Sequence, residues 1–220
     1  MLGTVNAESN SRLQEVGLFL RLIGRLSRTN GLLKTRRELT SAKGLFFVHL
    51  YAAYEYTVLA GLRETYRQIN IAKLEFRDCH SFLLTAALDK ELTSFVQKGS
   101  VQAWKARRAV FEKVGSTQVV EIDQNVNPAA GRNLAVAQLQ SIWDTLRIQN
   151  PMFPAPTLLG RVAELVQNRV DVAHGNSSAS DIGRRYTLEE LRKRHRDIEL
   201  LCTHILTSFE DYVKKQHYKA

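Results

Sequence analysis

Apolar residues along the chain recur mostly at helical spacing. "SRLQEVGLFLRLIGRLS" (11–27) opens with S-x-x-Q, a capping-box pattern, and keeps its apolar residues on one face. Next comes "GLFFVHLYAAYEYTVLAGL" (44–62), within a helix expected over about 41–67. It is apolar enough for a membrane span, but Glu55 would then lie deep in hydrocarbon at considerable cost. The pattern therefore predicts a helix at the centre of a soluble bundle, with no membrane association. Residues 71–98 are less periodic and hold a short helix around "DCHSFLLTAAL", followed by the basic helix "VQAWKARRAVFEKV". "GSTQVVEIDQNVNPAAGRN" contains the chain's β-like run, "TQVVEI", between turn residues, and reads as an irregular excursion around 115–132 with room for a short strand.

"NLAVAQLQSIWDTLRI" is a further helix, and the three prolines of "QNPMFPAP" break the chain after it. A helix from about Leu158 to His174 follows, then the polar linker "GNSSASDIGRRY". Thr187 and Glu190 form a T-x-x-E capping box for a long final helix. The chain shows no internal repeat and no low-complexity tract. The expected fold is all-α: one domain over 1–220, its core within about 11–215, built from four to five main helices. Trp104 and Trp143 both lie on helical patterns and are expected in the core.

Composition narrows the partner. At 44% hydrophobic residues, the 220-residue chain can bury a real core. A net charge of +9 and a pI near 9.7 favour a polyanion partner, nucleic acid first. Cys79 and Cys202 are far apart and form no metal-type pair, as expected of reduced thiols in a cytoplasmic protein. The polar opening "MLGTVNAESNSRLQE" carries no signal-peptide pattern. The histidines show no metal-ligand spacing, and neither a P-loop nor a GxGxxG occurs, so no metal or cofactor is expected.

One residue breaks the pattern. Wound at about 100° per residue, Leu158, Val162, Leu165, Val166, Val170, Val172 and Ala173 share an arc, and Arg169 falls near its middle. Asn168, Asp171 and Glu164 fall outside the arc, where solvent is expected. A guanidinium on a buried face must be paired, must snorkel, or must reach a wet cleft. Glu55 is the obvious partner for an ion pair. His174, about 140° around the helix from Arg169, sits at its C-terminal end, where the helix dipole favours positive charge. An arginine offers phosphate a fixed-charge fork, and a histidine can move a proton near neutrality, so together they suit phosphate chemistry.

"RVDVAHG" resembles the R-x4–6-H signature of HEPN-domain proteins, with Arg169 and His174 at its ends. "LVQNRVDVAHGN", the linker and the capped final helix are similar to the C-terminal half of that domain, and "LYAAYEYTV" to its apolar core helix with an embedded glutamate. The resemblance implies an all-α bundle that dimerises so that two motifs share a composite cleft. It further implies a metal-independent endoribonuclease, used as a toxin or antiviral effector and controlled by an antitoxin or defence-system partner. Arg169 and His174 would be catalytic, with Glu55, Asn168 and Asp171 auxiliary. The residue after the arginine is often polar in the family, whereas here it is Val170.

Three basic clusters, "KTRR", "KARR" and "RKRHR", add candidate phosphate contacts, with Arg107, Arg108, Arg192 and Arg194 the chosen RNA-binding residues. Two other readings stand beside the nuclease. One is a non-catalytic module that binds RNA, a nucleotide or a protein. The other is a dimeric scaffold in which Arg169–Glu55 is a structural ion pair.

Overall fold

A computed structural model describes residues 2–28, 33–94, 100–129 and 133–220, and of residues 33–35 and 100 the backbone alone. Residues 130–132 of the expected excursion and the Lys34 side chain of the first basic cluster lie outside that description. The chain is all-α. Its helices are α1 (Gly3–Arg28), α2 (Leu33–Ile71), α3 (Ser81–Ala87), α4 (Asp89–Ser94), α5 (Ser100–Val114), α6 (Val136–Leu146), α7 (Thr157–Ala173), α8 (Ala179–Arg184) and α9 (Leu188–Lys214), with a 3-10 turn at Phe76–Asp78.

α2 is the hub: α1, α7, α8 and α9 all pack on it. It is long and apolar enough to cross a membrane by length and composition, but 56% of its apolar window is buried inside the fold. Phe46, Phe47, Leu50, Tyr51, Tyr54, Val58, Leu62 and Tyr66 are sealed from solvent. Buried apolar side chains form one continuous cluster that reaches Leu2 and Tyr218, beyond the 11–215 expected of the core.

α1 starts earlier than its apparent capping box. Ser11 and Gln14 lie exposed inside the helix, because the buried stripe Leu13, Val16, Leu20, Ile23 continues back through Ser9. The Ser9 and Thr57 hydroxyls bond at 2.6 Å, which lets a polar residue occupy the α1–α2 seam. The "TQVVEI" run forms no strand among the described residues. It contributes one antiparallel bridge, Glu75 with Val119, and buries Val120 and Ile122. The polar linker after α7 is not structureless: Ser178 caps α8, accepting from the Asp181 N–H. The capping box of α9 is present as expected, with both Thr187 and Glu190 bonds formed. Trp143 is in the core against Phe209, but Trp104 is 60% exposed and takes Arg107 over its ring. Helical spacing identified both as helical; it could not tell that α5 meets the body along a narrow edge, with only Ala103 and Val110 buried among its described side chains.

α8 lies against α2 at backbone contact. A Cβ on Gly44 would meet the Ala179 carbonyl oxygen at 1.9 Å, and one on Gly183 would meet the Thr40 carbonyl oxygen at 1.8 Å. Neither obstacle is a side chain that can swing away. Gly44→Ala is therefore expected to cost at least about 3 kcal/mol, as severe overpacking does. Gly160→Ala, on α7 with nothing within 4 Å of the new methyl, is expected to gain about 1 kcal/mol. Urea unfolding of the pair checks this, and equal effects would refute the backbone crossing.

His80 ties α3 to α9. Its Nδ1 accepts from the Leu83 N–H as an N-cap, so the proton sits on Nε2, which faces the Tyr212 hydroxyl at 2.9 Å. Burial first, and the Arg147 charge second, push its pKa from the ordinary 6.5 down to about 4. The neutral ring is thus favoured by folding. Its stabilisation is complete above pH 6.5 and is lost as pH falls towards 4, where protonating Nδ1 also removes the cap. Urea midpoints measured from pH 7 to pH 4 should fall in the parent and fall less in His80→Gln.

Candidate functional site

α7 owes its position to two sets of polar contacts on neighbouring faces. On one, the Arg169 guanidinium lies over the Tyr51 ring at 4.9 Å, and its Nη1 donates to Asn133 Oδ1 at 2.8 Å. Tyr51 in turn donates from its hydroxyl to Glu55 Oε1 at 2.7 Å and accepts from the Leu134 N–H at 2.8 Å. Burial, followed by the bond to Glu55, raises the Tyr51 pKa to about 12, against the opposing charge of Arg169. The expected Arg169–Glu55 ion pair does not form among the described residues; Tyr51 stands between the two. The reason is spacing on α2: Tyr51 and Glu55 are four residues apart and bond along the helix, so the carboxylate turns to the phenol and the guanidinium takes the ring face.

The other face is a charge network. Asn168, placed by periodicity in solvent, is 4% exposed and donates to the Tyr186 hydroxyl at 2.9 Å. Tyr186 donates to Glu164 Oε1 at 3.0 Å, and Arg194 grips the same carboxylate from Nε at 3.0 Å and Nη2 at 2.8 Å. Arg161 bridges Glu164 and Asp197. Burial would raise the Glu164 pKa, but Arg194, with Tyr186 and Arg161, holds it below the usual carboxylate range. Asp171 accepts from Gln167 Nε2 at 2.9 Å and is half-buried.

At the C-terminus of α7, His174 is the cap residue and is exposed, while Ala173, expected on the buried arc, is exposed too. The chain turns there through Gly175 at φ +73°, a left-handed conformation that glycine adopts without steric cost. The Ser177 N–H closes the turn on the Asp171 carbonyl at 3.1 Å. Arg169 and His174 therefore sit on one helix end, one held against α2 and one facing outward.

The RNA-contact residues divide. Arg107, Arg108 and Arg192 are exposed, whereas Arg194 is turned inward onto Glu164, its side chain 11% exposed. Sequence reasoning missed Tyr51 and Asn133 as the Arg169 cradle. The Tyr51–Glu55 spacing was a usable signal; Asn133, beyond the excursion, gave none. Among the described residues, no group of three or more His, Cys, Asp or Glu is placed to hold a metal ion.

Because no acid among the described residues pairs with Arg169, its removal is not expected to strand a buried carboxylate. Arg169→Ala should stay folded and lose about 1–2 kcal/mol, the ring contact and one hydrogen bond. Tyr51→Phe keeps the ring but orphans the buried Leu134 N–H, and should cost about 1–3 kcal/mol. Thermal unfolding of both variants checks this; an unfolded Arg169→Ala would restore the structural ion-pair reading.

Two comparisons with known proteins found nothing: no curated protein and no solved structure matches the chain. A family model, that of the MAE_28990-like HEPN domains, matches residues 1–218.

Proposed function

The chain belongs to the MAE_28990-like HEPN family, and on that premise we propose that it is a metal-independent endoribonuclease whose catalytic pair is Arg169 and His174. The observation that carries this reading is the state of Arg169. Its guanidinium is positioned by a ring and a single described hydrogen bond, has no ion pair among the described residues, and shares a helix end with an exposed histidine. A guanidinium has five N–H donors, so most remain for phosphate oxygens.

The reaction balances without an external reagent. A base removes the ribose 2′-OH proton, O2′ bonds to the adjacent phosphorus, and the P–O5′ bond breaks. The departing oxygen takes a proton, leaving a 2′,3′-cyclic phosphate and a 5′-hydroxyl. His174 serves as the general acid or base, and Arg169 stabilises charge on the phosphorane-like transition state. Glu55 and Tyr51 act through Arg169, fixing the cradle on which it lies. Asn168 and Asp171 are auxiliary: the first locks α7 to Tyr186, and the second accepts from Gln167 with its carboxylate while its backbone carbonyl closes the turn that carries His174. Arg107, Arg108 and Arg192 contact the RNA backbone. A two-fold axis would bring two Arg169 and two His174 side chains into one cleft, with the half-covered face of α7 as part of the interface. A toxin or antiviral effector, held by an antitoxin or defence-system partner in the cytoplasm, is the biological setting this chemistry suits.

Val170 favours a second reading. Partly buried where relatives often carry a polar residue, it leaves one fewer group for catalysis, as in a module that binds RNA without cutting it. Incubation with single-stranded RNA in EDTA separates the two. The nuclease reading expects cyclic-phosphate ends, lost on His174→Ala and on Arg169→Ala, and partial recovery when the two variants exchange subunits. Salt-sensitive binding with no cleavage, retained in His174→Ala, would leave only the binding module.

A further inference from the structure

A second anion site lies away from Arg169. Where α2 begins and α8 crosses it, a cavity of about 640 Å³ is walled by Arg36, Arg37, Lys43 and Arg184, with the Thr40 and Ser180 hydroxyls in its floor. Among the described residues, no carboxylate lines it. Of the acids around it, Asp181 pairs with Arg184 and accepts from Ser178, Glu190 is held in the capping box with Thr187, and Glu38, next to Arg37, is exposed. Arg36 and Arg37 have no acidic partner among the described residues. Three of the four cations, Arg36, Arg37 and Lys43, thus have no ion pair among the described residues; gathered on one concave wall they repel one another, and an anion between them relieves that.

We propose that this pocket binds a phosphate group. The guanidiniums of Arg36, Arg37 and Arg184 supply fork donors from the rim. Lys43 supplies the inner contact: it spends one proton on the Tyr186 carbonyl, at 2.8 Å, and keeps two. Burial lowers its pKa although Glu190 opposes, so its charged form lacks compensation that a bound anion provides. The hydroxyls are not donors to the ligand. Thr40 gives its proton to the Arg36 or Arg37 carbonyl and bonds Ser180 at 2.6 Å, so both protons are committed inside the wall. Recognition is therefore by charge and fork geometry, which suits a phosphate with several free oxygens. The wall is rigid, since Gly44 and Gly183 bring α2 and α8 to backbone contact beside it.

Thr40 and Tyr51 are about 20° apart around α2 and about 16 Å apart along it, so the pocket and the Arg169 layer share a side of that helix. The phosphate comes either from an RNA strand that continues to Arg169 or from a free phosphorylated small molecule. The binding claim does not require cleavage.

Titration calorimetry of the full chain with inorganic pyrophosphate tests the pocket. Arg36→Ala/Arg37→Ala/Arg184→Ala should weaken binding about tenfold or more, while Lys214→Ala/Lys215→Ala, at the far end of α9, leaves it unchanged. The three arginines are exposed; if the triple variant nonetheless unfolds, Arg36→Glu, with its thermal melt matched to the parent, serves the same comparison. A single-stranded RNA with every 2′-hydroxyl methylated, which cannot be cut by 2′-OH attack, identifies the source. Weakened RNA binding by the triple variant assigns the pocket to the strand, and unchanged RNA binding assigns it to a small phosphorylated ligand. Undetectable pyrophosphate binding, or equal loss in the Lys214→Ala/Lys215→Ala variant, overturns the site.

Discussion

The structure depends on one steric constraint, the backbone-to-backbone crossing of α2 and α8. Two glycines allow it, and no larger residue could. The crossing fixes more than a short helix. Tyr186, two residues past α8, lies against the Phe47 ring at 4.8 Å, takes Lys43 on its carbonyl, and joins Asn168 to Glu164 through its hydroxyl. The turn between α7 and α8 is thereby held at both ends. So His174 is exposed without being loosely placed, and α9 starts from a fixed point at Thr187.

Charge is distributed by the same geometry. The chain carries 31 Lys+Arg against 22 Asp+Glu, but much of the basic surplus in "RKRHR" is already committed. Arg194 is held by Glu164, Arg192 and Arg196 both reach Glu189, and His195 donates from Nε2 to the Leu13 carbonyl. Arg36 and Arg37 at the start of α2, and Arg107 and Arg108 on α5, have by contrast no acidic partner among the described residues. Surface pairs of the Arg192–Glu189 kind contribute little to stability, so Arg192 is free to exchange Glu189 for a phosphate, whereas Arg194 is not.

Most of the helices were legible because their apolar spacing is strong; α2, α6, α7 and α9 fall within a few residues of expectation apart from the extra turns of α2. The misses share a cause. Periodicity reports which residues prefer burial, not which polar groups find partners. Ser9 and Asn168 are buried because Thr57 and Tyr186 meet them, and those partners are 48 and 18 residues away. α8 was hidden because its six residues carry a polar sequence; what holds it is a glycine contact that only the folded chain displays. Arg169 and His174 could be singled out, one as a break in the pattern and one by its place at a helix end. The cradle could not, because it joins α2 and α7 to a segment beyond the irregular excursion.

Two arginines on facing helices show how burial and function separate. Arg194 is nearly enclosed and spends its donors on Glu164 and on the Glu190 carbonyl, so its charge is neutralised and its geometry fully determined. Arg169 is also half-buried, and an aromatic face sets its direction. A ring, however, holds a cation without neutralising it or consuming its N–H groups in-plane. An enclosed arginine serving structure alone gains most from a carboxylate, and Glu55 lies on the adjoining helix within reach of the same tyrosine. The fold places Tyr51 between them, and among the described residues the guanidinium makes no ion pair and one hydrogen bond. That arrangement forgoes an ion pair, and under the proposed chemistry a phosphate arriving beside His174 would supply it.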